Sequence, residues 1–192
     1  MKPLLIVAGS SFGRLMSILA ADCGRTVAGF VDDSLSGPEI LGRTDDLGNF
    51  LEPRDYDLVL AVGYKHLNAR LKLYTRLKNC GFNFPSLVHP TARISAHAEL
   101  GEGCLVMAGA DVDAFSRIGD ACVFWPNATV SHDNRIGRNT FVSPAATLCG
   151  FVTIGEGSFI GANSTIVDGS ELPDGSFVKA STRHQQKKIF HD

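Results

Sequence analysis

The sequence predicts two parts in series: an α/β domain over residues 1–85 and a parallel β-helix over residues 86–182, followed by a polar tail over 183–192. Two periodicities predict the second part and one order of elements predicts the first. Every sixth residue from Val88 to Val178 is apolar, beginning Val88, Ile94, Leu100, Val106, with no slip in register. Four places after each stands a small residue, among them Ala92, Cys104, Ser116, Asn134, Val152 and Thr182. One large and one small inward residue per hexad is what stacked short strands need inside a solenoid. On top of this runs a period of 18: Leu100-Gly101-Glu102, Ile118-Gly119-Asp120, Ile136-Gly137-Arg138, Ile154-Gly155-Glu156 and Leu172-Pro173-Asp174. Glycine or proline beside a charge marks a solvated corner. Three hexads per turn make a three-sided prism of about five coils, each rising roughly 4.8 Å. An amphipathic helix would repeat at three and four residues, a spacing the stretch lacks.

The N-terminal part opens with a buried strand over residues 3–9 and a Gly-Ser-Ser loop. A helix follows over 12–23, with Phe12, Leu15, Met16, Leu19 and Ala20 on one face. The strand Val27-Ala28-Gly29-Phe30-Val31 ends in Asp32-Asp33. Strand, glycine turn, helix and a second strand ending in an acid form the opening of a Rossmann-like nucleotide-binding half-domain. The loop and helix start offer N–H groups to phosphate, and the acid offers a partner to a ribose or sugar hydroxyl. Gly9, Ser10, Ser11, Phe12, Asp32 and Asp33 are therefore candidate substrate contacts, although Ala8 to Gly13 lacks the full G-x-G-x-x-G spacing and also reads as a structural turn. Gly37-Pro38 and Gly42 predict a loop, and Thr44 to Phe50 a short helix. A third strand runs from Asp57 to Gly63, and a helix carries Leu67, Leu71, Leu73, Tyr74 and Leu77. Gly63, Lys65 and Arg70 lie at that strand's carboxyl end, where open α/β sheets hold ligands; a helix start with a solvated basic face reads equally well.

A net charge of −2 gives no field for nucleic acid. The start turns polar at Gly9-Ser10-Ser11 and no segment is long enough to span a bilayer, so the cytoplasm is the expected compartment. Five irregularly spaced cysteines do not suggest a disulfide framework; Cys104 and Cys122, 18 apart, are expected to stack inside the prism.

Departures from the repeat gather at Ser131-His132-Asp133. Eighteen residues to either side of His132 stand Ala114 and Gly150, so the imidazole has open space beside it. Such a notch suits a substrate, and a histidine on a repeat surface is also common. A zinc site needs three converging imidazoles, and His132 has only His97 within two coils. No metal is expected. Cys149 falls at the same corner as a rival nucleophile, but no cationic neighbour in sequence activates it.

The glycine-serine loop, Phe30-Val31-Asp32-Asp33, Ala61-Val62-Gly63, Val88-His89-Pro90, Ser131-His132-Asp133 and the run Gly150 to Gly161 together resemble the NeuD/PglD-type sugar acyltransferases of bacterial surface-polysaccharide and glycan pathways. The resemblance covers residues 3–180. It implies a left-handed β-helix, a hand opposite to the general rule for parallel crossovers. It also implies a homotrimer, a nucleotide-linked sugar held by the N-terminal domain, and acetyl-CoA between neighbouring prisms. His132 would be the general base and Asp133 its partner, while Phe141, Gly150, Gly161, Ala162 and Ala180 would line the coenzyme. Phe12 stands where the family's loop commonly carries a histidine, and Ala180-Ser181-Thr182-Arg183 replaces the usual ending. Lys187 and Lys188 in the tail either meet the coenzyme's phosphates or are simply solvated. Three functions are expected to compete: N-acetylation of a nucleotide-linked amino sugar, O-acetylation of a sugar or sialic acid hydroxyl, and a non-catalytic trimeric scaffold.

Overall fold

A computed structural model describes residues 1–185 and divides into two compact units, Met1–Leu87 and a second beginning at Val88. The first is a four-stranded parallel sheet in the order β3-β2-β1-β4, formed by β1 (Leu4–Val7), β2 (Val27–Val31), β3 (Ile40–Gly42) and β4 (Asp57–Leu60). Helices α1 (Ser11–Asp22) and α2 (Leu67–Asn79) complete it. Every residue of β1 is buried, as its unbroken apolar run requires of a central strand. The stretch expected as a loop after Gly37 instead adds the edge strand β3, and the expected helix from Thr44 shrinks to one 3-10 turn, Thr44–Asp46. Three residues cannot announce a strand by periodicity; pairing makes it, with Phe30 N–H donating to the Glu39 carbonyl and Asp32 N–H to that of Gly42.

Gly13 is the tightest point of this unit. A Cβ there would overlap the Ala8 carbonyl oxygen, so only glycine lets α1 start this close to the end of β1.

From Leu87–Val88 onward the chain is a parallel β-solenoid of two-residue strands. They stack into three sheets, two of six strands and one of five. Each strand pairs in parallel with the one 18 residues later, as in Thr129↔Thr147 and Thr147↔Thr165. The apolar hexad residues from Val106 to Val178 form one continuous buried cluster, joined by Cys104, Ala110, Cys122, Ala128, Ala146 and Val152. Buried polar members of the small column are satisfied locally: the Thr140, Ser158 and Ser164 hydroxyls each donate to a carbonyl three residues back, and Cys104 and Cys122 thiols to the Gly119 and Gly137 carbonyls. Cys104 and Cys122 therefore stack as reduced thiols in the interior, without a disulfide. Arg93–Asp111 and Arg138–Glu156 pair across adjacent coils on the surface.

Of the tail expected over 183–192, Arg183–His184 forms a further strand against Thr165–Ile166; Lys187 and Lys188 lie outside the described residues. Among the described residues no helix is long and apolar enough to cross a membrane, and no group of three His, Cys, Asp or Glu side chains is placed to hold a metal.

Candidate functional site

In the first unit the parallel strands bring the ends of β1, β2 and β4 to one edge of the sheet, with Gly9, Asp32 and Gly63 just beyond them. Asp32 is largely occupied there: Oδ2 accepts the Gly9 N–H at 2.8 Å, and Oδ1 accepts those of Ser34 and Leu35. Burial alone would raise this carboxyl's pKa, but the three N–H donors outweigh it and hold it below the usual range. Asp32 thus ties the glycine loop to the end of β2. The stabilisation is complete above the unfolded pKa near 3.8 and is lost as pH falls through the lower folded value. Thermal melts between pH 5 and pH 2 are expected to show a wild-type advantage over Asp32→Asn that shrinks below about pH 4; parallel pH profiles would remove this role.

Asp33 accepts the Thr44 N–H and hydroxyl, and a shallow cleft beside it is lined by Asp32, Asp33, Leu35, Ile40 and Arg43. Ser10 and Ser11 are exposed where α1 starts, and Phe12 is half-buried. Lys65 is exposed in the 3-10 turn Tyr64–His66 that Gly63 precedes. Arg70 is different: its side chain is wholly buried, with Nη2 donating to the Leu60 carbonyl at the end of β4, so it is no part of a solvated basic face.

In the solenoid, His132 and Asp133 occupy one corner. Asp133 lies in the left-handed region at φ 57°, and its Oδ2 meets His132 Nδ1 at 2.9 Å. An ionised carboxylate there fixes the proton on Nδ1 and leaves Nε2 as the basic nitrogen. The corner is braced from inside by Asn134, fully buried. Its Nδ2 donates to the Ser131 carbonyl at 2.7 Å and its Oδ1 accepts the Val152 N–H at 2.8 Å. Ser116, one coil back, donates its hydroxyl to the same Ser131 carbonyl. On the outer side the Phe151 ring stands edge-on to the imidazole, centroids 5.2 Å apart.

Gly150 is what leaves room for His132. A Cβ on it would lie 2.8 Å from His132 Cε1, 3.0 Å from Nε2 and 3.0 Å from Asp168 Oδ1. Its N–H makes no hydrogen bond among the described residues. Gly161 differs in kind. A Cβ there would strike the backbone of Lys179 and Ala180 in the next coil, so that glycine is required by stacking. Gly161, Ala162 and Ala180 belong to the corner that follows the sheet of Val142, Ile160 and Val178, not to that of His132. Phe141 is fully buried. Cys149, one residue before Gly150, is half-buried and reduced.

Four contributors to the corner were not singled out in the sequence: Asn134, Phe151, Asp113 and Asp168. Asp113 is held below the usual carboxylate range first by the Ala114 N–H; Arg93 and the positive charge His132 can carry also lower it, against an opposing effect of burial. The 18-residue offset was the available signal, since Asp168 falls 36 residues after His132.

The family profile described as bacterial transferase hexapeptide (six repeats) matches residues 135–168. No curated protein sequence matches the chain. Among solved structures, the acetyltransferase domain of PglB from Neisseria gonorrhoeae is 30% identical, with 98% of this chain and 94% of that one covered and a TM-score of 0.92. The same domain in complex with acetyl coenzyme A matches with a TM-score of 0.87 over 96% of this chain and 93% of that one, also at 30% identity. PerB from Caulobacter crescentus, in complex with CoA and GDP-perosamine, is 29% identical over 97% of this chain and 90% of that one, with a TM-score of 0.90.

Proposed function

Since the chain belongs to the hexapeptide-repeat sugar acetyltransferases that include the gonococcal PglB domain, using acetyl-CoA as donor, we propose that it acetylates the amine of a nucleotide-linked amino sugar. The observation that carries this reading is His132, oriented through Nδ1 by Asp133 and turned through Nε2 toward the space over Gly150. A PerB-type enzyme, named a perosamine N-acetyltransferase, has been solved as a histidine-to-asparagine mutant with CoA and GDP-perosamine, which agrees with a histidine at the centre of the chemistry.

In the mechanism, Nε2 of His132 takes a proton from the amine as its nitrogen attacks the thioester carbonyl carbon. The C–N bond forms, the C–S bond breaks, and the proton passes from the imidazolium to the leaving sulfur. Asp133 holds the ring and balances its charge while it is protonated. The Gly150 N–H, lacking a partner among the described residues, is available to the oxyanion. The thioester is already activated, so no covalent enzyme intermediate is needed and Cys149 has no step to perform.

The assembly is a homotrimer with a left-handed helix, in which the Gly161, Ala162 and Ala180 corner of one copy meets coenzyme near the His132 corner of another. A monomeric mass in solution would contradict it. In the first unit, Gly9, Ser10, Ser11, Asp33, Gly63 and Lys65 hold the nucleotide-linked sugar, and the need for acetyl-CoA assigns the reaction to the cytoplasm.

The test is acetyl transfer to a panel of nucleotide-linked amino sugars and their hydroxy counterparts, followed by release of free CoA. Turnover of an amine supports the reading; turnover of hydroxyl acceptors alone makes the enzyme an O-acetyltransferase. Binding of coenzyme with no acceptor turned over would favour a scaffold.

A further inference from the structure

Asp168 stands two coils from His132 at the same corner position, with Gly150 between them. The corner turns stack directly, Phe151 N–H donating to the His132 carbonyl and Gly169 N–H to that of Gly150. Because Gly150 has no side chain, His132 Nε2 and Asp168 Oδ1 both reach within 3.0 Å of the point its Cβ would occupy. A basic nitrogen and a carboxylate oxygen therefore face one gap.

Both are acceptors. Asp133 fixes the ring proton on Nδ1, so Nε2 presents a lone pair, and a carboxylate has nothing to donate. Neither the Nε2 atom nor the exposed Asp168 carboxylate has a hydrogen bond or ion pair among the described residues. Asp113 and Asp133 add negative charge around the same ring. Two acceptors across one gap are satisfied together only by a group bringing at least two hydrogens, and best by one that is also positive. An ammonium or primary amine has them; an alcohol has a single hydrogen and leaves one acceptor facing the other.

We propose that Asp168 is the residue that recognises the acceptor's ammonium and selects amines over hydroxyls. This rests on the amino-sugar reading above and deepens it. The ammonium binds with one N–H on Asp168 Oδ1 and one on His132 Nε2. It loses its first proton through Nε2 to water, and the free amine, still held by Asp168, turns its lone pair to the thioester. The second proton leaves through Nε2 to the departing sulfur, so the products are the amide, the thiol of CoA and one proton in solution.

The experiment compares wild type, Asp168→Asn and Asp168→Ala in initial-rate transfer to a nucleotide-linked amino sugar and to its hydroxy counterpart, with CoA affinity by calorimetry alongside. Loss of a charged hydrogen bond to the bound ammonium raises KM for the amine by about 10- to 100-fold, and kcat stays within about threefold because the charge is gone when the bond forms. The preference for amine over hydroxyl narrows in both variants, and CoA affinity is unchanged. Unaltered kcat/KM on the amine in Asp168→Asn overturns this assignment and leaves the amino-sugar reading standing. Loss of CoA binding in both variants overturns it in favour of a structural role. A wild-type enzyme that turns over only the hydroxy compound overturns the amino-sugar reading itself.

Discussion

Replacing His132 with alanine is expected to lower kcat/KM for acetyl transfer by about 10²–10⁴-fold, the usual contribution of a positioned general base. The fold should tolerate the change. The His132 side chain is 47% exposed, its single hydrogen bond is to the Asp133 side chain, itself 39% exposed, and Ala114 and Gly150 flank it one coil to either side. No buried group loses a partner, so stability should stay within about 0.5 kcal/mol, as for other surface positions. Stopped assays of CoA release and calorimetric CoA binding on the same preparations separate the two effects. Activity within about threefold of wild type, with coenzyme still bound, would rule out the imidazole as base.

Two glycine substitutions are expected to fail in opposite ways. In Gly150→Ala the new methyl meets only the far ends of the His132 and Asp168 side chains, which can turn aside. The chain folds, but Nε2 is displaced and its gap filled. A misplacement approaching 1 Å costs on the order of 100-fold in rate. In Gly161→Ala the methyl meets the backbone of Lys179 and Ala180, which cannot move without opening the parallel stack at Gly161 N–H and the Val178 carbonyl. Overpacking of that kind costs about 1–3 kcal/mol, read as a fall in Tm of several degrees, roughly 2–4 °C per kcal/mol at this chain length. A Gly150→Ala enzyme with full activity would show that the gap is not used. A Gly161→Ala protein melting with wild type would show that the coils are looser than their spacing implies.

The second unit was legible because its core is one-dimensional. Each coil contacts only the coils above and below, so burial repeats at a fixed interval, and Val106, Phe124, Val142 and Ile160 announce their own stack. The same logic exposed His132, an imidazole between Ala114 and Gly150. The first unit was legible at its long apolar strands and helices and not at β3, a three-residue edge strand made by pairing with β2 rather than by any pattern of its own.

The parallel solenoid, its 18-residue register, the strand–loop–helix opening of the α/β unit and the histidine–aspartate corner were all readable from the chain's residues. These follow from short-range periodicity and backbone chemistry. What each small or charged residue touches emerges only once the coils and strands are packed. Gly150 clears side chains while Gly161 clears backbone; Asp32 is consumed in holding the Gly9 loop; Arg70 is buried; and Asp168, 36 residues away, shares a gap with His132. The physical reason is directional. Periodicity tells which face of the chain is buried, but which atoms meet at a corner depends on side-chain direction and on coils the chain has yet to build.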